Sequence, residues 1–442
     1  MIRWFVTIAL LTAFAGSALA EVPQFGTDVA DNVLAIRAQN PDLRDDVFAK
    51  MGGSSVESKA FLVCFSTPHV DLAGRDALQP TIDYFAAERR NAFNRTSRAA
   101  GVSWNLRYAL GGRPANFRRE IRDSDARWAL VLFGANDAQN QNERIYVRRL
   151  VYLIEELEAL GVVPVLGSAS PRRNKTKDRW IQRFNAITEA VAEHWRLPYV
   201  DYYDAMAALP RKGLARDGVH PNVLGQGGVR TACQFTEKGL RYGNNVRNLL
   251  TLEMLDELRR LADAHPFPEP EAMEPVAVNA ADAATGGLPA SEPTAELERP
   301  EEPEPTDADS HRMPSTPTVD PPTAALALPT GFPFSAVVDK PMLLEGELPP
   351  GCGRLKANAR VYRASVTVEE PTRLRATALD LDGFTPRVFW IRNDPEGPRC
   401  VRRRNQSIEV AAAPGLWDLI VEVSERATEE GRMLVLIDRN PR

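Results

Sequence analysis

Cysteine is scarce in this chain, with four in 442 residues. None forms a C-x-x-C pair, so the spacing gives no support to a zinc ribbon or a thioredoxin-like redox site. Lysine and arginine are not clustered with aromatic residues, which removes the footprint of a nucleic-acid binder. Beyond the first twenty residues no run is apolar enough to cross a bilayer, and no cysteine follows the first apolar run to take a lipid. Histidine numbers only five, which narrows the search for a general base. No pattern calls for a cofactor or a metal.

What is present divides by region. Met1 to Ala20 has Arg3, an apolar run from Trp4 through Ala15, and the small-residue ending Ser17-Ala18-Leu19-Ala20. That order reads as a cleavable signal peptide over 1–20, too short in its apolar part to span a membrane, and it predicts a secreted or periplasmic protein. The oxidising compartment then favours disulfides. Cys64 and Cys233 precede an acidic stretch, and Cys352 and Cys400 follow it, so pairing within each half is the economical choice. Each bridge would close a long loop and stabilise by roughly 3–5 kcal/mol.

The acidic stretch runs over 266–330. It holds 14 of the 34 prolines, and from Pro268 onward 13 acidic residues against 2 basic ones. Such a composition cannot bury enough apolar surface to offset its ordering entropy, and predicts a disordered, self-repelling linker.

Residues 21–265 alternate short apolar runs with amphipathic stretches, the rhythm of a three-layer α/β fold with a parallel sheet. Strands are expected at Val47–Met51, Trp128–Phe133, Val162–Leu166 and Pro198–Asp201. Helices are expected where Val147, Leu150, Val151, Ile154 and Leu157, and then Ile181, Phe184, Ile187, Val191 and Trp195, recur at helical spacing. Over 331–442 the period changes to two. Leu374, Ala376 and Ala378, and Trp417, Leu419, Val421 and Val423, alternate between turn signals. Six to eight short strands predict a small antiparallel β-sandwich; Asp382-Gly383 reads as a hairpin turn and not as a calcium site.

Three motifs carry chemistry. Gly52-Gly53-Ser54-Ser55 ends the first strand, where small residues let the chain turn and raise a serine above the sheet edge, although an ordinary loop has the same composition. Gly134-Ala135-Asn136-Asp137 follows the strongest strand, and an Asn held there can donate to a developing oxyanion. Asp217-Gly218-Val219-His220 puts a carboxylate within one turn of an imidazole, able to fix its tautomer and leave the other nitrogen as base. The other histidines lack that context.

In the order Ser, Gly-x-Asn-Asp, Asp-x-x-His, these motifs resemble the SGNH hydrolase family, also called GDSL esterases or lipases, over roughly residues 40–255. The resemblance implies a flavodoxin-like sheet and a catalytic triad of Ser54, His220 and Asp217. It also implies an oxyanion hole of Asn136, the Ser54 amide and a glycine amide, for which Gly101 fits the spacing best and Gly111 and Gly112 remain open. The implied substrate is an O-acyl ester, such as an O-acetyl ester on a carbohydrate or lipid. One departure stands out: the family's Asp before the serine is here Gly53. A catalytically inactive binding protein of the same fold is the alternative. Because every proposed catalytic residue precedes the linker, a chain ending near His265 is expected to keep activity on small esters.

Overall fold

The computed structural model describes residues 26–225 and 228–267 and, in the C-terminal part, 326–327, 334–338, 342–343, 348–349, 352, 360–381, 386–423 and 432–439. The expected signal peptide, the Asp382-Gly383 turn and all of the expected 266–330 linker but residues 266–267 and 326–327 lie outside the described residues.

The first part runs α1 (Thr27–Ala38), β1 (Arg44–Gly52), α2 (Ser54–Glu57), α3 (Gln79–Phe85), α4 (Leu106–Ala109), α5 (Asn116–Arg122), β2 (Ala126–Leu132), α6 (Glu143–Glu158), β3 (Val163–Gly167), α7 (Lys175–Trp195), β4 (Tyr199–Val200), α8 (Tyr202–Ala207) and α9 (Gly243–Ala264). All four strands pair in parallel in the order β1-β2-β3-β4. They fall on the four apolar runs, and α6 and α7 fall on the two helical stripes. Buried parallel strands read as continuous apolar runs because helices cover both faces; Trp128, Ala129, Leu130 and Val131 of β2 are all buried. Lys50 of β1 is an exception. It is buried, donates to the Phe93 carbonyl at 2.8 Å, and burial, with Arg95 nearby, pushes its pKa down to about 8. On the side of β1 away from β2, Ala100 pairs with Gly52, and among the described residues no strand runs along that edge.

The C-terminal part is built of β5 (Leu326–Ala327), β6 (Phe334–Val338), β7 (Met342–Leu343), β8 (Arg360–Val368), β9 (Thr372–Asp380), β10 (Arg387–Asp394), β11 (Gly397–Asn405), β12 (Ser407–Ala412), β13 (Gly415–Val423) and β14 (Met433–Arg439). These form two sheets, one ordered β11-β10-β13-β8-β5 with β7 also on β8, the other β12-β9-β14-β6. Every pairing is antiparallel except β5 with β8. The strands number ten among the described residues, more than the six to eight expected, and β5 lies inside the expected linker. Leu374, Ala376, Ala378, Trp417, Leu419 and Val421 pack between the sheets, as their alternation predicts. The opposite face of β13 is also covered. There Ile420 joins Phe389, Ile391, Val361 and the Cys352–Cys400 disulfide in a second small core, while Asp418 takes hydrogen bonds from Ser365 and Arg363 at 2.6 Å and Asn393 at 2.8 Å.

The sandwich packs on α6 and α7. Leu379, Leu434 and Leu436 join the same core as the α/β helices. Around them Arg144 pairs with the buried Asp380 at 2.8 Å, Arg183 bridges Glu143 and Asp438, and Arg432 meets Glu155 at 2.9 Å while lying over the Trp195 ring.

Candidate active site

At the carboxyl end of the parallel sheet three segments far apart in sequence converge. β1 ends at Gly52, Gly53 turns the chain, and Ser54 opens the single helical turn of α2. Ser54 Oγ lies 2.9 Å from His220 Nε2, and His220 Nδ1 lies 2.7 Å from Asp217 Oδ2. With Nδ1 carrying the proton toward the carboxylate, Nε2 is free to accept from the serine. The other Asp217 oxygen accepts the Val219 and His220 amides at 2.8 and 3.0 Å. Partial burial works to raise the Asp217 pKa, but the His220 hydrogen bond and the two amides outweigh it and hold the carboxyl down at about 2. Both side chains are close to half exposed, Asp217 at 47% and His220 at 45%, so the pair is reachable from solvent.

Local contacts explain why the Asp-x-x-His turn holds its shape. Gly218 sits at φ +70°, with the Arg173 side chain so near that a Cβ would meet it at 2.8 Å. Arg173 donates to the Ala215 and Arg216 carbonyls at 2.7 and 2.8 Å, and the buried Arg172 donates to the Val219 carbonyl at 3.0 Å. The far side is tied to α9, where Asn244 donates to the Pro221 carbonyl at 2.9 Å and Asn222 accepts the Gly243 amide at 2.7 Å.

The Gly134–Asp137 motif divides its labour. Asp137 is buried, and burial raises its pKa against the pull of the backbone amides of Leu106 and Gly134, which it accepts at 3.1 and 3.2 Å. It therefore pins the loop. Asn136 points to the serine turn instead. Its Nδ2 donates to the Trp104 carbonyl at 2.8 Å and its Oδ1 accepts from Gln139 at 3.0 Å, so the amide is held at both ends with one N–H left for another acceptor. The bridge between Gly52 and Ala100 puts Gly101 beside the serine turn as well, but its N–H donates to the Gly52 carbonyl at 3.1 Å. An oxyanion would have to compete for that hydrogen. The Gly111 amide is likewise engaged, with the Tyr108 carbonyl at 3.2 Å.

Beneath the serine lies a group that the motifs do not announce. Arg247 of α9 is buried, donates to the Ser55 carbonyl at 3.2 Å, and lies over the rings of Phe61 and Tyr202 at 4.5 and 5.1 Å. Burial pushes its pKa down to about 10, which leaves it charged at neutral pH. Next to it Asn248 holds the loop after α2 through Leu62, Ala60 and Ala232, and the Cys64–Cys233 disulfide closes the same region. The sequence signal was slight: an arginine flanked by asparagines in a helix otherwise turned to the core.

Residues 69–227 match the family model described as GDSL-like Lipase/Acylhydrolase. The chain carries a GDSL-like lipase/acylhydrolase domain. The matched stretch contains Gly101, Asn136, Asp217 and His220 and begins after Ser54. A GDSL-like lipase from Bacteroides thetaiotaomicron is 18% identical, covering 53% of this chain and 99% of that one, with a TM-score of 0.32. An acetylxylan esterase from Geobacillus stearothermophilus is 14% identical, covering 47% of this chain and 93% of that one, also at 0.32. The pre-peptidase C-terminal domain of a Bacillus anthracis collagenase is 11% identical, covering 26% of this chain and 97% of that one, at 0.19. No curated protein matches. Among the described residues no helix is long and apolar enough to cross a membrane, and the GDSL-like domain holds no cluster of His, Cys, Asp and Glu suited to a metal.

Proposed function

We propose that the GDSL-like domain is a serine esterase that cleaves an O-acyl ester through Ser54, His220 and Asp217. The observation carrying this reading is the continuous chain of two hydrogen bonds from Ser54 Oγ through His220 to Asp217, assembled from loops more than 160 residues apart. Ser54 Oγ attacks the ester carbonyl carbon while its proton passes to His220 Nε2, and Asp217 stabilises the imidazolium. The oxyanion faces the Ser54 amide and the remaining N–H of Asn136, with Gly101 as third donor once its bond to Gly52 yields. Each such donor contributes about 3–4 kcal/mol. Collapse expels the alcohol, which takes the proton from His220. Water activated by the same imidazole then releases the acid and restores the serine.

The two disulfides support an exported protein, in keeping with the signal peptide expected over 1–20; amino-terminal sequencing of material from outside the cytoplasm should begin at Glu21. For the activity, chromogenic esters from acetyl to palmitoyl should be turned over by the wild type and not by Ser54→Ala. Equal rates for the two proteins would remove the serine from the mechanism.

A further inference from the structure

In the acyl-transfer chemistry His220 hands its proton to the departing alcohol, so the turn that carries it borders the alcohol side of the ester, while Asn136 faces the oxyanion. That turn is set in a cationic surface. Residues 172–179 and 211–220 hold eight lysines and arginines against two carboxylates, Asp178 and Asp217. Contacts join the two segments. The Arg173 amide donates to the Gly218 carbonyl at 3.0 Å, its guanidinium to the Ala215 and Arg216 carbonyls, and Lys212 Nζ to the Arg172 carbonyl at 3.4 Å.

Both carboxylates are already engaged. Asp178 is buried and bonded by Lys212 at 2.6 Å, the Tyr203 hydroxyl at 2.9 Å and the Arg172 amide at 2.6 Å, and Asp217 is held by His220 and two amides. Arg172 is buried, with its donors on backbone carbonyls. That leaves Arg173, Lys175, Lys177, Arg179, Arg211 and Arg216, all exposed and, among the described residues, none in an ion pair. Holding the His220 turn explains only Arg173. The other five side chains make no hydrogen bond among the described residues, and like charges gathered in one place repel. What they offer is attraction and charge-assisted hydrogen bonds for an anion arriving on the His220 side. A neutral alcohol gains nothing from them.

We propose that this surface recognises an anionic group, a phosphate or a carboxylate, on the alcohol part of the ester. That the anion belongs to an ester rests on the esterase reading; that it is drawn to this surface does not. The test compares kcat/KM for O-acyl esters of glycerol, glycerol 3-phosphate, lactamide and lactate, each with the acyl group that the chromogenic series favours. Glycerol 3-phosphate against glycerol reads phosphate; lactate against lactamide reads carboxylate. At about 20 mM salt at least one anionic ester should exceed its neutral counterpart by about tenfold, and the advantage should shrink by about 0.5 M salt. Lys175→Glu and Arg216→Glu should each cut that ratio by about threefold, and together bring it near unity. Arg196→Glu, at the other end of α7 and about 30 Å along the helix, should leave the ratio unchanged. The same anionic ester should bind Ser54→Ala more tightly than its neutral counterpart in calorimetric titration. Equal kcat/KM within both pairs, a preference that salt does not weaken, or a ratio that survives the double substitution would overturn the proposal. Anion-selective binding to Ser54→Ala, with no ester hydrolysed by the wild type, would refute the esterase reading alone; absence of both would overturn this proposal too.

Discussion

The side-chain amide of Asn136 occupies the space that a side chain at position 53 would need. A Cβ on Gly53 would lie 2.8 Å from Asn136 Nδ2 and 3.1 Å from the Trp104 carbonyl. The Gly53 backbone itself is ordinary, at φ −89° and ψ −159°, so close approach and not conformational freedom makes glycine suitable here.

Gly53→Ala and Gly53→Asp should therefore displace Asn136 and lower kcat by up to the loss of one oxyanion donor, about 10²–10³-fold. Asn136→Ala should cost a similar factor, and the double variant little more, because both changes remove one interaction. Steady-state kinetics on a soluble ester decide it. A Gly53→Asp enzyme as fast as or faster than wild type would show that the amide has other room.

Ser54→Ala and His220→Ala should each reduce kcat by about 10⁴–10⁶-fold, and together by hardly more than either alone, since the pair acts as a unit. Multiplicative losses would mean that the 2.9 Å contact between Ser54 and His220 is not used in turnover.

Asp217 gives a pH signature. Its folded pKa of about 2 lies below the ordinary carboxylate value, so its contribution to stability is complete above about pH 4 and is lost as the pH falls toward 2. The exposure of the pair keeps that contribution small. Urea midpoints measured from pH 5 to 2 should fall more steeply for wild type than for Asp217→Asn. Between pH 5 and 9 the carboxylate stays charged, and the same variant should lose up to about 10⁴-fold in kcat at every pH.

Removing the sandwich should not be silent. Every proposed catalytic residue lies in the first 265 residues, and Leu379, Leu434 and Leu436 pack into the α/β core while Asp380 and Asp438 pair with Arg144 and Arg183. A chain ending at His265 leaves that apolar face and those arginines to water. It should melt several degrees lower than the full chain while the surviving folded fraction hydrolyses small esters at the full-length rate. An unchanged melting temperature would show that the contact carries no stability.

Much of this was legible because the chemistry demands neighbours in sequence. Asp217 and His220 share one turn, Asn136 follows directly on a strand whose every residue is apolar or buried, and the four strands end where their apolar runs end. What was not legible depends on contacts between distant segments. Arg172 and Arg173 look like a surface pair before a helix, yet they hold the His220 turn through backbone carbonyls. The engagement of the Gly101 amide depends on how residue 100 pairs with β1, which no spacing rule reveals. On β13, Asp418, Ile420 and Glu422 read as the wet side of a strand and are buried, because the Cys352–Cys400 disulfide and Arg363 and Arg387 cover them.

The account turns on whether Ser54 is an activated nucleophile, and covalent labelling addresses that directly. A fluorophosphonate probe incubated with the full chain between pH 6 and 9, followed by peptide mapping, should modify Ser54 alone. Labelling should fall by orders of magnitude in His220→Ala, whose serine has lost its base. Absence of label across that range, or label at another serine with Ser54 intact, would contradict the triad and leave the domain a binding protein.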